Sequence, residues 1–190
     1  MEEPCGDQDA ELIRRWQRGD AAAFEVLVRR WQQPMGRFLA RLGPRADLVP
    51  DLCQEVFLRL YLAGPRYREA GAFSTWLYRI ALNVARDAGR RRRRQPRPLG
   101  DHEPAANTTA AETACEQHEL ARCVAEAVAE LPPPLREVLV LRHYEKMSFE
   151  QMARLLGTPA STLKSRFAAA LSRLRVRLEE LGCGPEECDR

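Results

Sequence analysis

At 190 residues the chain has room for one medium domain or two small ones. Its 30 Lys+Arg against 27 Asp+Glu leave a formal net charge of +3, too small to mark a nucleic-acid binder, so the distribution of charge carries the information. No apolar run approaches the ~20 residues that span a bilayer, so membrane insertion is not expected.

The start, MEEPCGDQDAEL, is acidic and lacks an apolar signal core. A cytoplasmic location follows as the expectation, with thiols kept reduced and the six cysteines outside any disulfide framework. Basic charge gathers at Arg90 to Arg94 and from Lys164 to Arg177. Between them lies an acidic stretch that includes Asp101, Glu103, Glu112, Glu119 and Glu130. That alternation suggests two DNA-facing modules joined by a segment that avoids DNA.

Strand signals are weak, and apolar residues recur every three or four positions, so an all-α fold is predicted. Asp20 suits an N-cap for a helix with Phe24, Leu27, Trp31, Phe38 and Leu42 on its buried stripe. Pro34 should kink or split that helix. A second helix is predicted from about Leu48 to Leu62, with Leu52, Val56, Phe57 and Leu60 inward, and Gly64-Pro65 ends it. After the polar loop RYREAGAF, Ser74 or Thr75 should cap a third helix that buries Trp76, Leu77, Ile80, Ala81 and Val84 before it runs into five arginines. From Gln95 to about Ala114 the sequence is rich in Pro, Ala and Thr and reads as a flexible linker.

Helical pattern resumes near Cys115, with Leu120, Cys123, Val124 and Val128 on one side, and closes at Leu131-Pro132-Pro133-Pro134. Pro134 suits the first turn of a helix from Leu135 to Tyr144. Next, Ser148 and Gln151 have the spacing of a capping box. The short helix behind them carries Met152, Leu155 and Leu156, with Ala153 where close packing needs a small side chain, and Gly157 supplies a tight turn. A last helix starts near Ala160, capped by Ser161 or Thr158, with an inner stripe of Leu163, Phe167, Leu171, Leu174, Leu178 and Leu181.

The last two helices form a helix-turn-helix pattern. Ser161, Thr162, Lys164, Ser165, Arg166, Arg173 and Arg177 fall on the outer face of its second helix. Hydroxyls near that N-terminus can bond phosphate oxygens, and Arg166 can reach a guanine edge bidentately in a major groove. A helix-turn-helix can also be a plain structural corner; the basic outer face favours DNA. In the first half, a loop from Arg66 to Phe73 beside an aromatic helix that ends in arginines offers the parts of a single-strand site, a pocket for unstacked bases and a track for phosphates. The bland reading makes Trp76, Leu77 and Ile80 core residues, and their spacing supports it.

Taken together and in order, AAFEVLVRRW, DLCQEVFLRLY, FSTWLYRIALNVARD with its arginine run, LPPPLREVLVLRHYE and MSFEQMARLLGTPASTLKSRF resemble the extracytoplasmic-function (group IV) sigma factors of RNA polymerase. The resemblance covers roughly Leu12 to Leu181. It implies a sigma region 2 domain over residues 10–95, a linker over 96–114, a sigma region 4 domain over 115–182 and a Cys-containing tail over 183–190. Asp51, Gln54 and Glu55 would dock on the clamp helices of the polymerase's largest subunit. Arg66, Phe73, Ser74, Asn83, Arg86, Arg90 and Arg91 would recognise and grip the −10 element and hold a flipped base. The helices from Leu135 would engage the flap tip of the second-largest subunit, while Ser161, Thr162, Lys164, Ser165 and Arg166 would read the −35 element. Family members commonly carry more basic residues just after the position of Phe167, where this chain has Ala168-Ala169-Ala170, so its phosphate contacts there are thinner. The implied mechanism is binding energy applied to strand opening, with base capture offsetting the few kcal/mol of unstacking. The resemblance leaves room for an anti-sigma partner.

A helix-turn-helix regulator without sigma activity is the rival reading; it would need neither the Asp51/Gln54/Glu55 face nor the arginine-ended helix. An enzyme is disfavoured, because no nucleophile–base pair, phosphate-binding glycine loop or paired carboxylates stand out, and no cofactor is expected. A membrane-surface role for the arginine run lacks an amphipathic anchor. Cys53 and Cys123 sit at apolar helical positions. Cys183 and Cys188 form a pair of soft ligands on a short tail, and Cys115 and His118 could add to them, although no spacing is a standard zinc pattern. Metal-sensing Cys-rich tails occur in one branch of the family, which makes a regulatory metal ion at Cys183 and Cys188 an open expectation. If it holds, Cys183→Ser with Cys188→Ser abolishes any zinc, copper or cadmium response in transcription; an unaltered response removes the idea.

Overall fold

The helical periodicity of the sequence is realised as eight α-helices, with no strand among the described residues. The structure, a computed structural model, describes residues 6–42, 46–68, 72–94 and 112–183. The chain divides into two units, Met1–Leu99 and Gly100–Arg190. The expected linker lies largely outside the described residues.

The first unit holds α1 (Gly6–Gln17), α2 (Ala21–Leu42), α3 (Val49–Ala63) and α4 (Phe73–Arg94). Asp20 caps α2 as its position suggests, accepting from the Ala23 amide at 3.3 Å. Its carboxyl is held below the usual carboxylate range first by the Arg15 side chain, which donates to it at 2.7 Å. Helix α2 runs unbroken through Pro34, so of the kink or split expected there the split does not occur. A proline inside a helix costs roughly 3 kcal/mol, whereas each fully buried large apolar side chain contributes roughly 1.5–3 kcal/mol. Trp31, Met35, Phe38 and Leu39 flank Pro34 and are all buried. Tertiary packing on both sides therefore outweighs the proline.

Helix α1 was not expected from the apolar pattern. Its inward residues are Ile13, 1% exposed, and a carboxylate, Asp9, also 1% exposed. Asp9 accepts from the Trp31 indole Nε1 at 3.0 Å and from Arg30 Nη1 at 2.7 Å. At the other end of α1, Trp16 packs on Phe24 and Tyr61, with ring centroids 4.6 and 5.8 Å away. The Gln17 side-chain amide donates to the Gly64 and Tyr67 carbonyls at 2.9 and 2.8 Å. Helix α1 thereby fastens the turn that leads out of α3.

Helix α4 starts one residue before the expected caps. The Ala72 carbonyl accepts from the Thr75 amide at 3.0 Å, which places Ser74 and Thr75 inside the first turn. The buried face also differs in detail. Leu77, Ala81 and Val84 are buried as expected, joined by Tyr78 and Leu82, while Trp76 and Ile80 are half-buried.

The second unit holds α5 (Glu112–Glu130), α6 (Pro133–Leu139), α7 (Phe149–Leu156) and α8 (Ala160–Glu180). After α6 the chain widens into a π-helical stretch, Val140–Tyr144, where the Glu145 amide reaches back five residues to the Val140 carbonyl at 3.2 Å. Buried Arg136 donates to the Leu131 carbonyl at 2.9 Å and to that of Ala129, meeting carbonyls that the end of α5 leaves unpaired. Val128, Leu131, Leu139 and Ala170 form one core cluster, with Val124, Leu135, Phe167 and Leu174 packed against it. Two sequence expectations fail here. Leu171 is 47% exposed and Leu120 is 50% exposed. Ala170 takes the inner position instead, clustered with Val128, Leu131 and Leu139.

A Cβ at Gly64 would lie 1.7 Å from the Trp16 ring. Gly64→Ala should therefore overpack this contact and cost roughly 1–3 kcal/mol in chemical denaturation; an unchanged stability would show that α1 does not seat there.

Candidate protein and nucleic-acid interfaces

Asp51, Gln54 and Glu55 lie at helical spacing on one face of α3, away from buried Val56 and Leu60. Asp51 and Gln54 are exposed and Glu55 is half-buried. The same face continues into two residues that sequence reasoning missed, Leu58 at 53% and Leu62 at 68% exposure. They sit seven and eleven residues after Asp51 and so repeat its helical phase. That phase was the available signal, but a leucine in a helical stripe reads first as core.

Glu55 is tied down. Arg59 donates to it from Nε at 2.7 Å and to Asp87, across on α4, from Nη1 at 3.0 Å. Asp87 also accepts from Arg90. Arg90 and then Arg59 hold the Asp87 carboxyl below the usual carboxylate range. Asp87 and then Glu55 push the Arg59 guanidinium up. Alongside, Asp51, Leu52, Glu55, Val84, Ala88 and Arg91 line one cleft of about 210 Å³. The expected protein-docking face and the expected arginine track are thus neighbours across the α3–α4 seam.

Around the loop before α4 the predicted residues divide. Arg66 and Asn83 are exposed, as are Arg90 and Arg91; Ser74 and Arg86 are half-buried. Phe73 corrects the sequence reading. Its ring is 3% exposed, edge-on to Trp31 at 5.9 Å, so it anchors the loop in the core and offers no face to a base. The accessible aromatic surface is instead half-buried Trp76, stacked on Tyr67 at 4.2 Å with 24° between the rings. Residues 69–71 of the loop lie outside the described residues.

In the second unit, Ser148 and Gln151 form the expected capping box on α7, with bonds of 3.1 and 2.7 Å. Gly157 makes the turn at φ +64, a left-handed conformation that glycine adopts without strain. The expected cap on α8 is absent. Pro159 takes the N-cap position with no side-chain bond, Ser161 falls inside the first turn, and the Thr158 hydroxyl turns back to the Leu156 carbonyl at 3.5 Å. Ser161, Thr162, Lys164 and Ser165 are exposed and Arg166 is half-buried. The Ser165 hydroxyl donates to the Ser161 carbonyl at 3.1 Å, and the Lys164 ammonium lies 5.8 Å from the centre of the Phe149 ring. Arg177 is withdrawn from the outer face into ion pairs with Glu130 at 2.7 Å and Glu180 at 3.0 Å. Cys183 is half-buried, its thiol donating to the Leu181 carbonyl. Cys188 lies outside the described residues.

Comparison with known proteins matches these units to two sequence families, sigma-70 region 2 over residues 27–95 and sigma-70 region 4 over residues 121–174. The RNA polymerase sigma-H factor of Pseudomonas aeruginosa is 33% identical over 186 residues, covering 92% of this chain and 96% of its own. The ECF RNA polymerase sigma-E factor of Escherichia coli K12 is 33% identical over 183 residues, covering 91% and 95%. A solved structure of CnrH in complex with the cytosolic domain of CnrY superposes with a TM-score of 0.69 at 26% identity, covering 92% of this chain and 99% of CnrH. The chain belongs to the extracytoplasmic-function sigma factors, the proteins that give RNA polymerase its choice of promoter. The region 2 match removes the rival regulator reading, which had no use for the first unit. No helix among the described residues is long and apolar enough to cross a membrane.

The Asp87 ion pairs make a pH prediction. A carboxyl whose folded pKa lies below its unfolded value adds stability that is complete above the unfolded pKa and is lost as pH falls through the folded one. A carboxyl NMR titration of the folded protein should place the Asp87 midpoint below 3.8. A midpoint at or above that value would mean the pairs with Arg90 and Arg59 do not form in solution.

Proposed function

We propose that the protein docks on the clamp helices of core RNA polymerase through the α3 face of Asp51, Gln54 and Glu55, extended by Leu58 and Leu62. The observation that carries this reading is the exposed face itself. It is polar at one end and apolar at the other, and it lies beside the basic end of α4 within the unit that matches region 2. An interface of this kind gains most of its energy from desolvated apolar anchors, and its charged part sets register and partner choice.

The −10 element then meets α4 and the loop before it. Arg66, Arg86, Arg90 and Arg91 carry phosphates, Asn83 and Ser74 offer polar contacts, and the Tyr67–Trp76 stack provides an aromatic platform for an unstacked base. In the second unit α8 enters the major groove of the −35 element. There Ser161, Thr162, Lys164 and Ser165 hold phosphates beside an uncapped helix N-terminus, and Arg166 reads a base edge. The work is binding, with no covalent step, and it takes place in the cytoplasm. By likeness to CnrH, which is seen with the cytosolic domain of CnrY, we assign this chain a sequestering protein partner of the anti-sigma kind.

Run-off transcription with purified core polymerase tests the whole reading, since the protein plus core should start RNA at a cognate promoter. Replacing Asp51, Gln54 and Glu55 together by Ala should abolish core binding with helicity intact; unchanged core affinity would remove that surface. Arg166→Ala should cost roughly 1–3 kcal/mol of −35 discrimination at one base pair. A loss spread evenly over all sequences would instead make Arg166 a phosphate contact.

A further inference from the structure

Four side chains of alternating sign run across the α3–α4 seam, from the docking face to the arginine track. Glu55 accepts from Arg59, Arg59 donates also to Asp87, and Asp87 accepts also from Arg90. The two inner members each divide themselves between two partners. The Arg59 fork serves Glu55 from Nε and Asp87 from Nη1, while the Asp87 carboxylate gives Oδ2 to Arg59 and Oδ1 to Arg90. Arg90 is the accessible end, with its side chain 65% exposed. A phosphate and Asp87 therefore compete for the same guanidinium.

A guanidinium released from one carboxylate can turn two parallel N–H groups on the other, which is its strongest arrangement. We infer that Arg59 and Asp87 are positioning residues that couple polymerase docking at Glu55 to the grip of Arg90 on DNA. The inference rests on the roles proposed above for Glu55 and Arg90. In the free protein Glu55 holds part of Arg59, and Asp87 keeps Arg90 masked. When a donor on the polymerase engages Glu55, Arg59 turns fully to Asp87, and Arg90 passes to a backbone phosphate. Linkage makes the coupling reciprocal, so DNA held by Arg90 favours docking at Glu55.

The test uses the full-length protein without polymerase and a fluorescein-labelled oligo(dT), read by anisotropy over a range of salt. Asp87→Asn unmasks Arg90 and should tighten binding by about fivefold, the upper end for an exposed ion pair. The salt slope should steepen by about 0.7, as one further phosphate contact requires. Arg90→Ala should have little effect alone but should cancel the whole gain in the Asp87→Asn background. Glu55→Gln imitates an engaged Glu55 and should tighten binding by about twofold. Glu25→Gln removes the same charge from α2, where Glu25 pairs with Arg29 at 3.8 Å, and should change nothing.

If Asp87→Asn brings no gain while Arg90→Ala alone weakens binding, Arg90 is never masked; the coupling falls and the DNA role of Arg90 stands. If Arg90→Ala costs nothing even beside Asp87→Asn, the DNA role falls and takes the coupling with it. Equal gains from Glu55→Gln and Glu25→Gln would reduce the effect to net charge and overturn the coupling.

Discussion

The first unit is organised around one buried hydrogen bond, from the Trp31 indole to the Asp9 carboxylate. Burying a carboxylate is costly unless it is paired and fully bonded. Asp9 meets that condition by taking Arg30 on its other oxygen. The bond holds α1 against α2, and the Trp31 ring then sets α4 through edge-on contacts with Phe73 at 5.9 Å and Tyr78 at 6.0 Å. Removing either partner would leave a buried donor or acceptor unmet, which is why this contact fixes a geometry as well as adding stability.

From that centre the candidate surfaces follow. With α4 seated on Trp31, its outer side carries Asn83 and the arginines, and Trp76 is turned half outward onto Tyr67. With α1 seated, Gln17 and Trp16 hold the turn at Gly64 that leads out of α3. Helix α3 then presents one face to the core and the opposite face, from Asp51 to Leu62, to solvent. Packed helices carry both candidate surfaces, so the packing of α3 on α4 sets the register between them.

The second unit solves a smaller problem. Its capping box at Ser148 and its left-handed Gly157 are local devices, each settled within a few residues, and they place α8 with its hydroxyl- and lysine-bearing side outward. The close approach of α6 is non-local. On α8 it leaves Ala170 in the interior and Leu171 facing solvent.

How much was legible divides along that line. The helical class, the capping box, the Gly157 turn, the Asp20 cap and the order of the family motifs were all readable, because each depends on spacing within one short segment. Helix α1 was not, since its inward contact is a carboxylate and periodicity counts carboxylates as solvent-facing. Phe73 and Trp76 exchanged places for a related reason. Both are aromatic and both fit a buried stripe, and only the position of Trp31 decides which ring is covered. Pro34 looked like a break until the packing on both sides was weighed against it. The sequence by itself determined that this is a helical sigma factor with two functional halves. The tertiary structure alone decided which side chains face solvent, and that Glu55, Arg59, Asp87 and Arg90 meet. The longest of these contacts joins residues 28 positions apart, and no local pattern encodes where two helices cross.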